Sequence, residues 1–251
     1  MEALEKMKAI PGKGTLETGI LNLASLRDIK EFADTFKKKH NYLHILVNNA
    51  GVMLTPESKT EDGFELQFGV NFLGHFALTA HLYPLLKQAP GARIITLSSG
   101  AYKLAQEIDF NNVRSEKSYD ASREYAISKL ADLQFTLELQ RRIEQAGDNI
   151  ISVAAHPGVT QTSLSRHMSE QDYKAALKHF KELMPAWQGA LPSLFAATSP
   201  LVKAGGYYGP DGANELHGFP GPALINDAAN DKVGAKTLWE FAEKVTGVTF
   251  P

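Results

Sequence analysis

Cysteine is absent from all 251 residues. That excludes a disulfide framework, a zinc–thiolate centre and a thiol nucleophile, and it fits a reducing compartment. No apolar run approaches the ~18 residues that a membrane-spanning helix needs. No N-terminal signal pattern is present either, so the expected location is cytoplasmic. Charge is balanced, with 26 Lys and Arg against 28 Asp and Glu and a net charge of −2. Without a basic block, a nucleic-acid partner has no electrostatic footprint to bind. Internal repeats, low-complexity tracts and linkers are also missing. His40 and His44 are four apart, but they straddle a helix end and a strand start, so no metal site is expected. The remaining sequence is 43% hydrophobic, enough for a substantial core, and its length suits one α/β domain over residues 1–251.

Three apolar runs read as buried strands of a parallel sheet. They are Leu43–Val47, Gly91–Leu97 and Asn149–Ala155. Each ends in polar or small residues: Asn48-Asn49-Ala50-Gly51, Ser98-Ser99 and His156-Pro157-Gly158. Ligands bind outside the carboxyl ends of strands in open α/β sheets. Thr15–Leu23 reads as a further strand. Met1–Ala9, Ser25–Lys39, Asp62–Lys87 and Glu124–Glu144 read as helices, with Ser25 an N-cap and Glu138 paired to Arg142 across one turn.

Tyr125 and Lys129 lie four apart in the last of these helices, on one face. A free phenol has a pKa of about 10, too high for easy proton exchange near neutrality. A neighbouring ammonium favours the phenolate and lowers that value. A tyrosine tuned in this way can act as a general acid or base. A Tyr-x-x-x-Lys spacing is also what a solvated helix face offers, so its companions carry the weight. In family order they are Asn48-Asn49-Ala50-Gly51, Asn71-Phe72-Leu73-Gly74-His75-Phe76, Ser98-Ser99, Tyr125-Ala126-Ile127-Ser128-Lys129 and His156-Pro157-Gly158.

With these residues, from about Leu21 to the C-terminus, the chain resembles the short-chain dehydrogenase/reductases, in the retinol-dehydrogenase-like and WW-domain-oxidoreductase-like branch. The resemblance implies a Rossmann-type, doubly wound parallel α/β sheet. It also implies hydride transfer between a nicotinamide coenzyme, NADP(H) ahead of NAD(H), and an alcohol/carbonyl pair. Tyr125 would be the acid/base, and Lys129 would lower its pKa and hold the nicotinamide ribose. Ser99 would bond the reacting oxygen. Asn71 would complete the set, its helix interrupted by a water leading to Lys129. Asn22, Asn49, Ala50, Gly51, Pro157, Gly158 and Thr162 would contact the coenzyme, with Tyr125 and Lys129.

Each residue also has a plainer reading. Ser98 and Ser99 can be turn formers, Asn71 a polar residue packed on the sheet, His156 a structural histidine. Val159–Trp187 would fold as a helical lid with an apolar inner face over a hydrophobic substrate such as a retinoid, steroid or lipid aldehyde; core packing explains the same residues. Helices around Glu124–Glu144 would pair in a homodimer.

The front of the chain departs from the family. A Gly-rich TGxxxGxG turn should deliver backbone amides to a pyrophosphate. It is not found, and Gly12-Lys13-Gly14 is too short and in the wrong place. The first βαβ unit, 30 or more residues, is expected to be missing. The Leu43–Val47 strand should then expose an apolar edge, and Thr15–Leu23 should lack a neighbour. The chain would be an incomplete form of a full-length enzyme, which its intact catalytic positions favour, or a non-catalytic remnant with a binding or regulatory role. Asn22, where the family has Asp, would alter adenine binding without abolishing it.

Overall fold

The apolar runs become adjacent parallel strands because each is too short for a helix and apolar on both faces. The computed structural model describes residues 2–10, 12–180 and 183–251. Strands β1 (Ile45–Asn48), β2 (Ala92–Leu97), β3 (Ile150–Ala155), β4 (Tyr207–Pro210) and β5 (Pro220–Pro222) lie in the order β1-β2-β3-β4-β5. Only the β4–β5 pair is antiparallel. Asn48 sits beside Thr96, and Thr96 beside Ala154. These three strands therefore stop nearly level, and the loops that follow them leave the sheet at one end.

Side chains alternate between the sheet's two faces. Ile94 and Ile150 join Phe72, Phe76, Phe135 and Trp239 in one buried cluster. Ile95, Val153 and Ala155 pack on the other face with Ala196 and Ala197. The helices that supply these contacts follow from local signals. Helix α1 spans Glu2–Lys8. Helix α2 (Leu26–Lys39) is capped by the Ser25 side chain, which accepts from the Asp28 amide, so the expected start holds. Helices α3 (Leu66–Phe68) and α4 (Gly74–Lys87) are joined by a π-helical turn over Gly69–Leu73. The long α5 (Ala121–Ala146) starts at an Asp120 cap and ends at left-handed Gly147. Then come α6 (Glu170–Phe180), α7 (Ala186–Gly189), α8 (Leu191–Thr198) and α9 (Lys232–Thr246), the last packed along α5 with Trp239 under Arg142.

Two expected elements are corrected. Thr15–Leu23 forms no strand; its amides find no neighbouring strand among the described residues, while Gly19 lies against Phe32 of α2 and Leu21 and Leu23 pack against α2 and α4. The helix expected over Asp62–Lys87 begins at Leu66, because the Glu65 carboxylate takes the Gln67 and Phe68 amides at 2.9 and 2.7 Å and caps it there. The exposed edge is observed. β1 ends the sheet, with Leu46 turned to the α2–α4 cluster and Ile45 and Val47 left 40% and 42% exposed. No helix among the described residues is long and apolar enough to cross a membrane.

Candidate active site

Helix α5 carries a row of three groups. Tyr125, Lys129 and Asp132 stand at i, i+4 and i+7, which is one helical stripe. The Lys129 Nζ lies 5.9 Å from the centre of the Tyr125 ring. It donates to the Leu97 carbonyl at the end of β2 and to Asp132 Oδ2, each at 2.8 Å. All three residues are buried. Burial opposes the Lys129 charge, yet the Asp132 carboxylate and the Tyr125 phenol outweigh it and hold the ammonium above its ordinary pKa. Burial raises the Asp132 carboxyl to about 7, against the pull of Lys129.

Asn71 sits inside the π-helical turn and is fully buried. Its amide is satisfied on every side. Nδ2 donates to the Val52 carbonyl and to Ser128 Oγ, and Oδ1 accepts from the Val52 amide, at 2.9 to 3.0 Å. Ser128 in turn donates to the Tyr125 carbonyl. The loop after β1 is thus tied through Asn71 to the helix that carries the phenol. At Asn71 the helix departs from α geometry in this π turn. The Asn71 carbonyl meets His75 Nδ1 at 2.7 Å, so that nitrogen carries the proton. Burial, aided by the Lys129 charge, lowers His75 to about 4 and keeps it neutral.

The two serines after β2 divide. Ser98 is buried and donates to the Lys129 carbonyl at 2.7 Å, which fastens β2 to α5. Ser99 is partly exposed; its hydroxyl accepts from the Ala101 amide and caps the 3-10 turn Gly100–Leu104. Beyond Ser98 lies the Tyr207 phenol of β4, with no hydrogen bond of ordinary geometry and a pKa raised well above 10 by burial. His156 is structural in its contacts. Its Nδ1 accepts from the Gly158 amide at 3.3 Å, which leaves the proton on Nε2, 3.5 Å from Glu215 Oε2. Burial lowers His156 to about 4. Glu215 also holds Lys103 at 2.9 Å and the Leu224 amide at 2.6 Å. To reach there, Asn214 and Glu215 adopt left-handed backbone, φ 55° and 59°, where side-chain-bearing residues are uncommon.

The residues expected to face a coenzyme are spread more widely. Asn49 and Ala50 are exposed at the carboxyl end of β1, with Gly51 beside them. A Cβ on Gly51 would stand 3.0 Å from Asn71 Oδ1 and 4.0 Å from Lys129 Nζ, so the missing side chain lets the loop close over both. Pro157 and Gly158 leave β3 at the same end, Gly158 with φ +67°. Thr162 is exposed and caps the 3-10 turn Ser163–His167. Asn22 lies at the start of α2, held by the Ala24 amide, Asp28 and Glu61. The Val159–Trp187 segment is helical in part; Met184 is buried near Gly158, while Trp187 is 63% exposed and turned outward. Sequence reasoning missed Asp132, Ser128 and Glu215. Only Asp132 had a signal, three residues after Lys129 on a helix.

Comparison with known proteins identifies the family. The family model for short chain dehydrogenase matches residues 2–173. Human retinol dehydrogenase 14 is 39% identical over 248 residues, 95% of this chain and 69% of that protein. Human polyprenol dehydrogenase is 34% identical over 259 residues, 98% and 74% of the two chains. Among solved structures, an uncharacterized protein from Mycobacterium Paratuberculosis superposes with a TM-score of 0.78 at 34% identity, over 95% of this chain and 78% of that one. The Pseudomonas aeruginosa RhlG/NADP active-site complex shares the fold, with a TM-score of 0.55 at 22% identity over 74% and 72%. Five sheet strands, a buried Tyr–Lys row at their carboxyl ends and these relatives lead to one conclusion: the chain belongs to the short-chain dehydrogenase family, in its retinol-dehydrogenase-like branch of alcohol/carbonyl oxidoreductases.

Proposed function

We propose that this chain interconverts a hydrophobic alcohol and its carbonyl with NADP(H). The observation that carries the proposal is the Tyr125–Lys129 row, buried and 5.9 Å apart at the carboxyl end of the sheet. The bound coenzyme supplies or accepts the hydride. In the reducing direction, negative charge builds on the carbonyl oxygen. Tyr125 donates the proton to that oxygen, and the Ser99 hydroxyl gives it a second hydrogen bond. Lys129 stabilises the resulting phenolate. Asn71 keeps the β1 loop and α5 in register and so holds the distances.

The residues fit the nicotinamide–ribose half of a dinucleotide. Asn49, Ala50 and Gly51 present small groups and backbone, and Lys129 offers an ammonium beside them. Among the described residues no Gly-rich strand-to-helix turn serves the pyrophosphate. NADP(H) rests on the family branch alone. A hydrophobic substrate is supported by the relatives' names, since retinol and polyprenol are both isoprenoid alcohols. The second reading is a non-catalytic binding role. It predicts a folded chain without coenzyme affinity.

The test is calorimetric titration with NADPH and NADH, followed by reduction of a long-chain aldehyde monitored through NADPH absorbance. NADPH should bind more tightly than NADH. Tyr125→Phe should lower kcat by about 10²–10⁴-fold while weakening coenzyme binding far less. Wild-type turnover by that variant would sink the assignment, and no binding by the folded chain would count against coenzyme use by this polypeptide and for the second reading.

A further inference from the structure

The Asp132 carboxylate is unusual in its isolation. It is 1% exposed, Oδ2 meets only Lys129, and Oδ1 has no hydrogen-bond partner. Leaving a buried carboxylate oxygen unsatisfied costs free energy, and a buried ion pair is no more stabilising than a neutral pair of similar shape. Stability is therefore a poor reason for the charge. Its geometry supplies another. The ammonium lies between the phenol and the carboxylate on one stripe of α5, 2.8 Å from the carboxylate and 5.9 Å from the phenol ring. A third contact, to the Leu97 carbonyl, draws it further toward the sheet.

We propose that Asp132 is a positioning residue that holds the Lys129 ammonium back and shares its charge, and so sets the pH at which Tyr125 exchanges its proton. The inference rests on the proposed role of Tyr125 and deepens it. With Asp132 ionised, the phenolate gains less from Lys129. With Asp132 neutral, the full ammonium charge acts on the phenol. The other titratable groups facing this row do not supply the effect. His75 from α4 is neutral above about 4. Tyr207 from β4 is held protonated by burial, and Lys129 is the charged group that acts on Asp132.

The experiment needs neither coenzyme nor substrate, so its failure is separate from failure of the hydride-transfer reading. The full chain is labelled with ¹³Cζ-tyrosine, and the Tyr125 signal is identified by its loss in Tyr125→Phe. Its titration midpoint is compared in wild type and Asp132→Asn. The variant should titrate lower by about one pH unit. In a Lys129→Met background the same substitution should have no effect, because its route to the phenol is gone. An unchanged or higher midpoint in Asp132→Asn overturns the proposal, as does a shift that persists without Lys129. Should Asp132→Asn fail to fold, carboxyl-¹³C spectra of the wild type decide. The Tyr125 signal must then show an inflection at the pH where Asp132 titrates, and its absence overturns the proposal.

Discussion

Single residues in this site are held by contacts that no neighbour in sequence supplies. Asn71 bonds Val52 and Ser128, 19 and 57 positions away. His156 depends on a glycine in another strand. A Cβ on Gly209 would stand 1.9 Å from His156 Nε2, with two further ring atoms within 2.7 Å. The imidazole is a rigid ring buried on all sides, so it has little room to retreat. Gly209→Ala should destabilise the chain by about 1–3 kcal/mol, as overpacking does. Urea unfolding checks this; an unchanged midpoint would mean that the His156 pocket is loose. Tyr125 and Lys129 were legible because their spacing is a helical spacing. The role of Asp132 was not, because i+3 carboxylates are common on helices and only burial distinguishes this one.

At the scale of elements, the strands and α5 follow from apolar runs and caps, and the expected Glu138–Arg142 pair is present at 2.9 Å. The region from Glu65 to Lys87 is less transparent. Its apolar residues suit one continuous helix, yet a π turn occupies Gly69–Leu73. The turn places Asn71 toward the Val52 loop, and nothing local in the sequence announces that demand. Gly74, just after it, lets the backbone at Leu23 come close, for a Cβ there would lie 2.6 Å from the Leu23 carbonyl oxygen. Gly74→Ala must therefore push α4 from the 21–25 segment and should cost about 1–3 kcal/mol despite alanine's better helix propensity. A gain in thermal midpoint would show that the 21–25 segment yields instead, contrary to this packing.

Across the whole molecule, buried titratable groups act against one another. His75 and His156 fall from 6.5 to about 4 on folding. The unfolded chain binds their protons first, so the stability they confer is present above 6.5 and lost as pH falls toward 4. Glu65 and Asp132 rise on folding from 4.5 and 3.8 to about 7. Their contribution is present at low pH and lost as pH rises toward 7. Between about pH 4.5 and 6.5 these two pairs oppose each other, as do His81, lowered by burial, and Glu124, raised by burial, so the urea midpoint of the wild type should change little. In the double variant Glu65→Gln, Asp132→Asn the lowered histidines are opposed by Glu124 without its two partners, and the midpoint should fall as the pH falls through the same window. A level profile in that variant would refute the account.

By itself, the sequence determined the period of its long helices, the apolar runs of three parallel strands, the cap at Ser25, and the order of the family's motifs. These are local matters of spacing and side-chain type, which a short window contains. Tertiary structure alone decided that Thr15–Leu23 is not extended into a strand, that Asn71 sits in a π turn, and that Glu215 reaches His156 through a left-handed backbone. It also decided that Lys129 is shared between a phenol and a carboxylate. The reason is physical. A backbone amide needs a partner strand, and a buried charge needs a counter-charge. Only the folded chain brings distant residues close enough to provide or withhold them.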